Sequence, residues 1–273
     1  MTITTRLLFP AVFLFASLGL GASGAHADVT TATLAMENPD NPLLLMRTSR
    51  GDVYLELFPQ AAPRNVAHFI ALAHGELPLV AASADTRSVE TNDQDRAGAA
   101  PHYWYDNLDF HRVLPGYIIQ AGAPRTPDSP GPETTLDDEI NARQLGLHEE
   151  KVLDDGGNPH PWLNLQDAGD FQREVLVPLY RRMGITTPEM LETRQSEVFS
   201  TLRDMTLQQA YENRGYRYND RLPSHQPVRG AVAMAGSEPN SNRSEFFITL
   251  TDAPWLAGRT TVIGQVVEGM EVV

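Results

Sequence analysis

The chain has 273 residues, no cysteine, and 35 acidic against 21 basic side chains, for a formal net charge of −14. Without thiols, a disulfide scaffold and a cysteine-ligated zinc or iron–sulfur site are excluded, and a pI near 4.9 argues against a protein that tracks nucleic-acid phosphates. A hydrophobic content of 41% excludes a wholly disordered chain. The one lysine, Lys151, sits among Glu149, Glu150, Asp154 and Asp155, which keep its amine solvated and unsuited to Schiff-base chemistry.

Residues 1–27 have the form of an export signal. Arg6 supplies the positive start, Leu7 to Leu20 is an apolar run too short to span a bilayer, and Ala25-His26-Ala27 is a small-x-small cleavage site. The mature protein is therefore expected to begin at Asp28, exported and without a stable membrane anchor, periplasmic in a Gram-negative cell. Residues 28–42 are polar, lack a period and are expected to be a linker. Leu43 to Ser49 and Gly51 to Phe58 alternate apolar and polar side chains about Ser49-Arg50-Gly51, the pattern of a β-hairpin with one buried face. Pro63 opens a helix whose Val66, Phe69, Ile70 and Ala73 share a stripe, and Gly75 closes it. Residues 77–102 are small and polar, the composition of a mobile surface loop, and strands follow at Leu108 to Val113 and Tyr117 to Ala121.

From Asn141 to Val228 the texture turns helical. Phe171, Val175, Leu179 and Met183 recur every four residues, with Pro178 kinking or dividing the segment. A longer helix starts at an N-cap Thr187, carries Leu191, Val198, Leu202 and Met205 on one stripe, and stops near Gly215. The stripe is most simply core; with Tyr211, Tyr216 and Tyr218 it is alternatively a dock for a client or a second copy. Strand texture returns at Ala231 to Met234, Glu245 to Leu250 and Thr261 to Val267. The organisation is a β-rich unit, 43–140 and 229–273, interrupted by a helical insert, 141–228.

Three segments carry the chemistry. Residues 110–120, FHRVLPGYIIQ, put an arginine on a strand among apolar neighbours, where burial is costly unless a partner meets it. Alternation places Phe110, Arg112 and Leu114 on one face and His111 and Val113 on the other. Either Arg112 donates into an aromatic-lined hollow, or it pairs with an acid such as Glu245 to fix the fold. Residues 234–248, MAGSEPNSNRSEFFI, are a turn-rich loop entering a strand with Phe246 and Phe247 on opposite faces. The third segment begins at Trp255-Leu256 and runs to Gly264. The eight histidines form no HExxH or comparable ligand set, so no metal and no cofactor is expected.

Together and in this order the three segments resemble the cyclophilin family of peptidyl-prolyl cis-trans isomerases, and Gly51 to Leu72 resembles the family's opening. The resemblance covers roughly 43–140 and 229–273. It implies a mainly β fold, a closed antiparallel barrel with a capping helix, here interrupted by the α-helical insert. It implies isomerisation of X–Pro bonds in proline-containing polypeptide clients, with Arg112 donating to the prolyl nitrogen and Gln120 hydrogen-bonding the substrate backbone. Tyr117, Ile118, Phe247 and Leu256 would line the proline hollow, and the main chain at Gly236 would pair with the peptide. Ala235, Glu245, Trp255 and Thr260 complete the implied substrate-binding set.

The departures from the family pattern are specific. Tyr117 stands for phenylalanine, Ile118 for methionine, Thr260 for histidine, Gly236 for asparagine and Glu245 for glutamine. A carboxylate at 245 either orients Arg112 or captures it. The family usually continues past the G-x-x-V-V segment with a helix and a strand, so a chain stopping at Val273 is expected to leave a sheet edge open. Capture of Arg112 and an open edge would suit a non-catalytic scaffold or holdase that binds proline-containing segments; an intact Arg112, Gln120 and Phe247 set suits an enzyme.

Overall fold

In the computed structural model, the described residues are 4–8, 27–77, 79–80, 103–124, 131–132 and 134–273. Most of the expected export signal and most of the 77–102 loop lie outside them. Eight strands form one antiparallel sheet: β1 (Thr4–Leu8), β2 (Leu43–Thr48), β3 (Gly51–Leu57), β5 (Arg112–Leu114), β6 (Ile118–Ala121), β8 (Ala231–Met234), β9 (Phe246–Thr249) and β10 (Val262–Glu268). The order is β1-β2-β3-β10-β8-β9-β6-β5, so the sheet is a curled half-barrel whose ladder ends at β5 on one side and at β1 on the other. β1, which falls within the expected export signal, pairs with β2, so cleavage before Asp28 would leave β2 as the edge strand. β4 (Leu79–Val80) and β7 (Gly131–Pro132) make a separate two-stranded ribbon.

One face of the sheet is covered by helix α2 (Pro63–His74). Val66, Phe69 and Leu72 pack onto Leu55, Leu57, Ile119, Phe246 and Ile248, all buried. Gly75 ends the helix at φ 69°, as its sequence position implies. The start has a cap that sequence reading misses. Ala62 offers no side-chain acceptor, and the buried Glu139, far along the chain, accepts from Arg64 N (3.1 Å) and Asn65 N (2.9 Å).

The expected linker is instead docked structure. Asp28 accepts from Thr31 N and opens α1 (Val29–Ala35), whose Ala32 is fully buried with Leu43, Leu45 and Tyr54 on the outer face of the hairpin. The reason lies in β3, where Glu56 is buried and must be hydrogen-bonded. Glu37 N, Asn38 N, Asn41 Nδ2 and Gln265 Nε2 all donate to its carboxylate, at 2.8–3.0 Å. The polarity of 37–41 supplies donors to a buried acid.

The insert is less helical than its texture implies. Helices span Ala168–Phe171, Val177–Arg182, Pro188–Thr193, Gln195–Asp204 and Leu207–Asn213, while 141–167 runs mainly in turns around a short 3-10 helix, Pro161–Leu163. Gly146, Gly156, Gly157, Pro159 and Pro161 deny that stretch a continuous helix. Pro178 does not divide its segment, which stays helical from Ala168 to Arg182: a π-helical stretch, Gln172–Leu176, precedes it and widens the turn against which the ring would clash. The long helix from Thr187 is broken at Arg194, and Thr206 starts the next helix with a capping box. Val198, Leu202, Met205 and Tyr211 are all buried in the insert's own core, so that stripe is core and not a dock.

Candidate active site

The face of the sheet opposite helix α2 carries the candidate site. Leu114-Pro115-Gly116-Tyr117 is a tight turn closed by Tyr117 N donating to Leu114 O (3.0 Å), and Gly116 takes the φ of 71° that disfavours a side chain. This turn sets the β5–β6 register so that Arg112 stands opposite Gln120. Gln120 in turn faces Phe247 on β9, and Phe247 faces Ala233 on β8. Cross-strand partners share a face, so one row presents a guanidinium, an amide and a phenyl ring side by side. Phe246 points the other way, into the core against Phe69 and Tyr105 with edge-on ring contacts.

The row opens into a cleft of about 710 Å³. Of the residues expected at the site, Arg112, Tyr117, Ile118, Gln120, Ala235, Gly236, Glu245, Phe247, Leu256 and Thr260 line it. Ile118 and Phe247 form its buried apolar floor, packed with Ala233 and Val262 beneath and with Tyr117, Ala235 and Leu256 around them. Trp255 stands behind the lining: its Nε1 donates to the Tyr117 hydroxyl (3.3 Å). That bond gives the tyrosine at 117 a function that phenylalanine could not serve. Thr260 donates through its hydroxyl to Leu256 O (3.3 Å), a contact within the same wall.

The polar side of the cleft is a short relay. Arg112 Nη1 donates to Gln120 Oε1 (3.2 Å), and Gln120 Nε2 donates to Glu245 Oε2 (2.7 Å). A carboxylate only accepts, so Glu245 forces the Gln120 amide to turn its NH2 inward and its carbonyl toward Arg112. The glutamine thus stands between the two charges, and Arg112 is oriented through it. Arg112 is also exposed, so the burial cost inferred from its apolar neighbours does not arise.

Two placements differ from simple alternation. The strand begins only at Arg112, after a turn in which Asn107 takes φ 58°, so residues 108–111 obey no period of two. Phe110 accordingly packs toward the inner core, and His111 Nε2 reaches the cleft side, 3.4 Å from Glu245 Oε2. Sequence reading also misses Arg243, a second guanidinium in the lining.

The loop carrying Gly236 is braced from behind. Asp138 accepts from Asn240 N (2.8 Å), Asn242 Nδ2 (3.0 Å) and Thr261 Oγ1 (3.1 Å), and burial raises its carboxyl above the usual range despite these donors. The opposite wall rests on the insert. Tyr218 donates to Gly258 O (2.9 Å), the Tyr211 ring lies beneath Arg259, and Arg259 Nε donates to Trp255 O (2.9 Å). Gly258 is in the left-handed region at φ 79°, and Leu147 lies so close that a Cβ there would clash with it.

The arrangement is a cleft with an apolar hollow beside an oriented guanidinium. The cyclophilin type peptidyl-prolyl cis-trans isomerase family matches residues 43–273, and the chain belongs to that family. A probable peptidyl-prolyl cis-trans isomerase of Brucella suis is 27% identical over 95% of this chain and 79% of its own length. Peptidyl-prolyl cis-trans isomerase B of Streptomyces anulatus is 24% identical over 81% of this chain and 74% of its own. Among solved structures, the cyclophilin AquaCyp293 from Hirschia baltica aligns over 86% of this chain and 66% of that one, at 19% identity and a TM-score of 0.40. Peptidyl-prolyl isomerisation is thus the activity of this chain's family and of its named relatives.

Proposed function

We propose that this chain isomerises X–Pro bonds with Arg112 as the donor to the prolyl nitrogen, and that it serves the folding of exported proteins. The observation that carries the reading is the cross-strand row Arg112, Gln120, Phe247 beside the apolar floor. Amide resonance sets a barrier of ~18–20 kcal/mol to rotation. As the bond twists, the nitrogen regains its lone pair and becomes a hydrogen-bond acceptor, which it is not in the planar amide. A donor fixed in advance stabilises the twisted state over both planar ones and needs no nucleophile. Phe247, Ile118, Tyr117 and Leu256 hold the proline ring, which keeps one end of the bond still while the other turns. Gln120 holds Arg112 and presents its amide to the substrate backbone, and the main chain at Gly236 pairs with the peptide as an added strand.

The non-catalytic alternative needs Arg112 to be captured by Glu245. The Gln120 bridge speaks against it, because a guanidinium held through one N–H keeps others for substrate. The test is conversion of an Ala-Pro peptide. Arg112→Ala is expected to lower kcat/KM by ~10²-fold, the usual loss for a transition-state hydrogen-bond donor. Wild-type turnover in that variant overturns Arg112 as the donor, and a wild type no faster than the uncatalysed rate favours the holdase.

Export is supported by the Arg6, Leu7–Leu20 and Ala25-His26-Ala27 pattern. The protein recovered from a Gram-negative periplasm should start at Asp28; a cytoplasmic protein retaining Met1 overturns this. Clients are proline-containing polypeptides, and the insert contributes contacts to them.

A further inference from the structure

We propose that Arg259 is a positioning residue for the hollow that holds the prolyl ring, and that it sets how tightly the cleft binds substrate without touching substrate itself. The proposal rests on the isomerase reading of that cleft. Arg259 is half-buried and is not among the described residues that line the cleft, although its neighbours Leu256 and Thr260 are.

The segment before it, Pro254–Leu256, is a single 3-10 turn. Main-chain donors reach the carbonyls on either side of Trp255: Ala257 N to Pro254 O and Arg259 N to Leu256 O, both at 3.0 Å. Trp255 O, between them, accepts from the Arg259 side chain instead, from Nε at 2.9 Å and also from Nη2. A guanidinium that closes two N–H groups on one oxygen fixes that peptide plane, and with it the directions in which Trp255 and Leu256 leave the main chain. Trp255 Nε1 then donates to the Tyr117 hydroxyl (3.3 Å), with the two rings 5.9 Å apart, while Leu256 lines the hollow directly. One side chain thus sets two of the hollow's walls, Tyr117 and Leu256.

Arg259 is itself held by the insert. Its guanidinium carbon lies 5.7 Å from the centre of the Tyr211 ring, a cation over a ring face. Tyr211 is fully buried, and its hydroxyl donates to Trp162 O (3.2 Å), so the ring beneath Arg259 is fixed from below. The cleft then has two positioning devices with different targets. The Glu245–Gln120 relay orients the donor Arg112, which acts on the twisted bond and therefore on kcat. Arg259 shapes the hollow, which grips the ring in planar and twisted states alike and therefore acts on KM.

The test is a double-mutant cycle on the full chain with an Ala-Pro tetrapeptide. Arg259→Ala is expected to raise KM by ~10-fold, the low end for a misfit of one methylene in an apolar pocket, with kcat within about twofold of wild type. Arg259→Lys should recover little of this, since an ammonium brings no planar fork to the carbonyl and the ring. In a Tyr117→Phe background, which lacks the hydroxyl that Trp255 reaches, Arg259→Ala should raise KM by only about threefold, because both changes break the same chain of contacts. An equal factor in the two backgrounds overturns the proposal, as does a fall in kcat at constant KM or full recovery in Arg259→Lys. Should Arg259→Ala fail to melt cooperatively, Arg259→Lys takes its place in the cycle. If wild type does not accelerate the tetrapeptide, the isomerase reading fails, and anisotropy of the labelled tetrapeptide still decides Arg259: Kd must follow the factors given for KM, and an unchanged Kd overturns its role.

Discussion

The half-barrel and the insert build with different means, and the cleft lies where they meet. In the half-barrel, position follows from register: one turn at Pro115-Gly116 aligns Arg112 with Gln120, and the ladder extends that row to Phe247. In the insert, position follows from local caps and tight approaches, such as the Thr206 capping box and Leu147 beneath Gly258. Register carries the proposed donor and its neighbours, and the irregular part supplies one wall of the cleft. An insert that buttresses a cleft wall is not a detachable module, whatever its boundaries suggest.

Removing residues 146–222 tests this most severely. The deletion takes away Leu147, Tyr211 and Tyr218, leaving Ala257, Gly258 and Arg259 without the core they pack on. Several large buried side chains go at once, each worth ~2–5 kcal/mol, so peptide turnover and cooperative melting should both be lost. Full tetrapeptide turnover in the deleted protein would break the comparison and make the insert a separable domain. Arg112→Ala sharpens the same contrast from the other side. Its side chain is exposed, so thermal melting should shift by no more than a degree or two while turnover collapses, as expected for a surface substitution of roughly ±0.5 kcal/mol.

The same difference explains what could be read in advance. The cleft residues were legible because they lie in three ordered segments that resemble the cyclophilin family, and the resemblance assigned them; local alternation added only that Phe246 and Phe247 point to opposite faces. Trp255 was placed one layer too far forward because its contact with Tyr117 crosses the fold and leaves no mark in spacing. Glu56, Glu139 and Asp138 stayed hidden for a related reason. Each is a buried or largely buried carboxylate whose donors come mostly from distant segments, and in sequence it looks like any solvated acid. Residues 28–42 were misjudged because polarity was taken for solvent exposure, when Glu37, Asn38 and Asn41 use their N–H groups on Glu56. The insert's helices were overextended because an apolar stripe continues across Arg194, although the backbone does not.

The smallest expected effect lies on the half-barrel's inner side, at His68, which ties helix α2 to the cleft loop. His68 is buried on α2, its ring hydrogen-bonds the main chain of Arg243, and its Nε2 has no protein partner. Desolvation lowers its pKa below the usual 6.5, and the bond to Arg243 opposes that shift only in part. A depressed histidine favours the neutral ring in the folded state. Its contribution to stability is therefore complete above pH 6.5 and is lost as pH falls through the unfolded value toward the folded one. His68→Gln keeps a side-chain donor without a titrating ring, so its urea midpoint should fall less than that of wild type between pH 7 and pH 5. Because the Arg243 main chain belongs to the loop that also bears Gly236, wild-type KM for an Ala-Pro peptide should rise more over the same interval than the variant's, which retains His111 beside Glu245. Parallel pH profiles in the two proteins would show that α2 supports the cleft by packing alone.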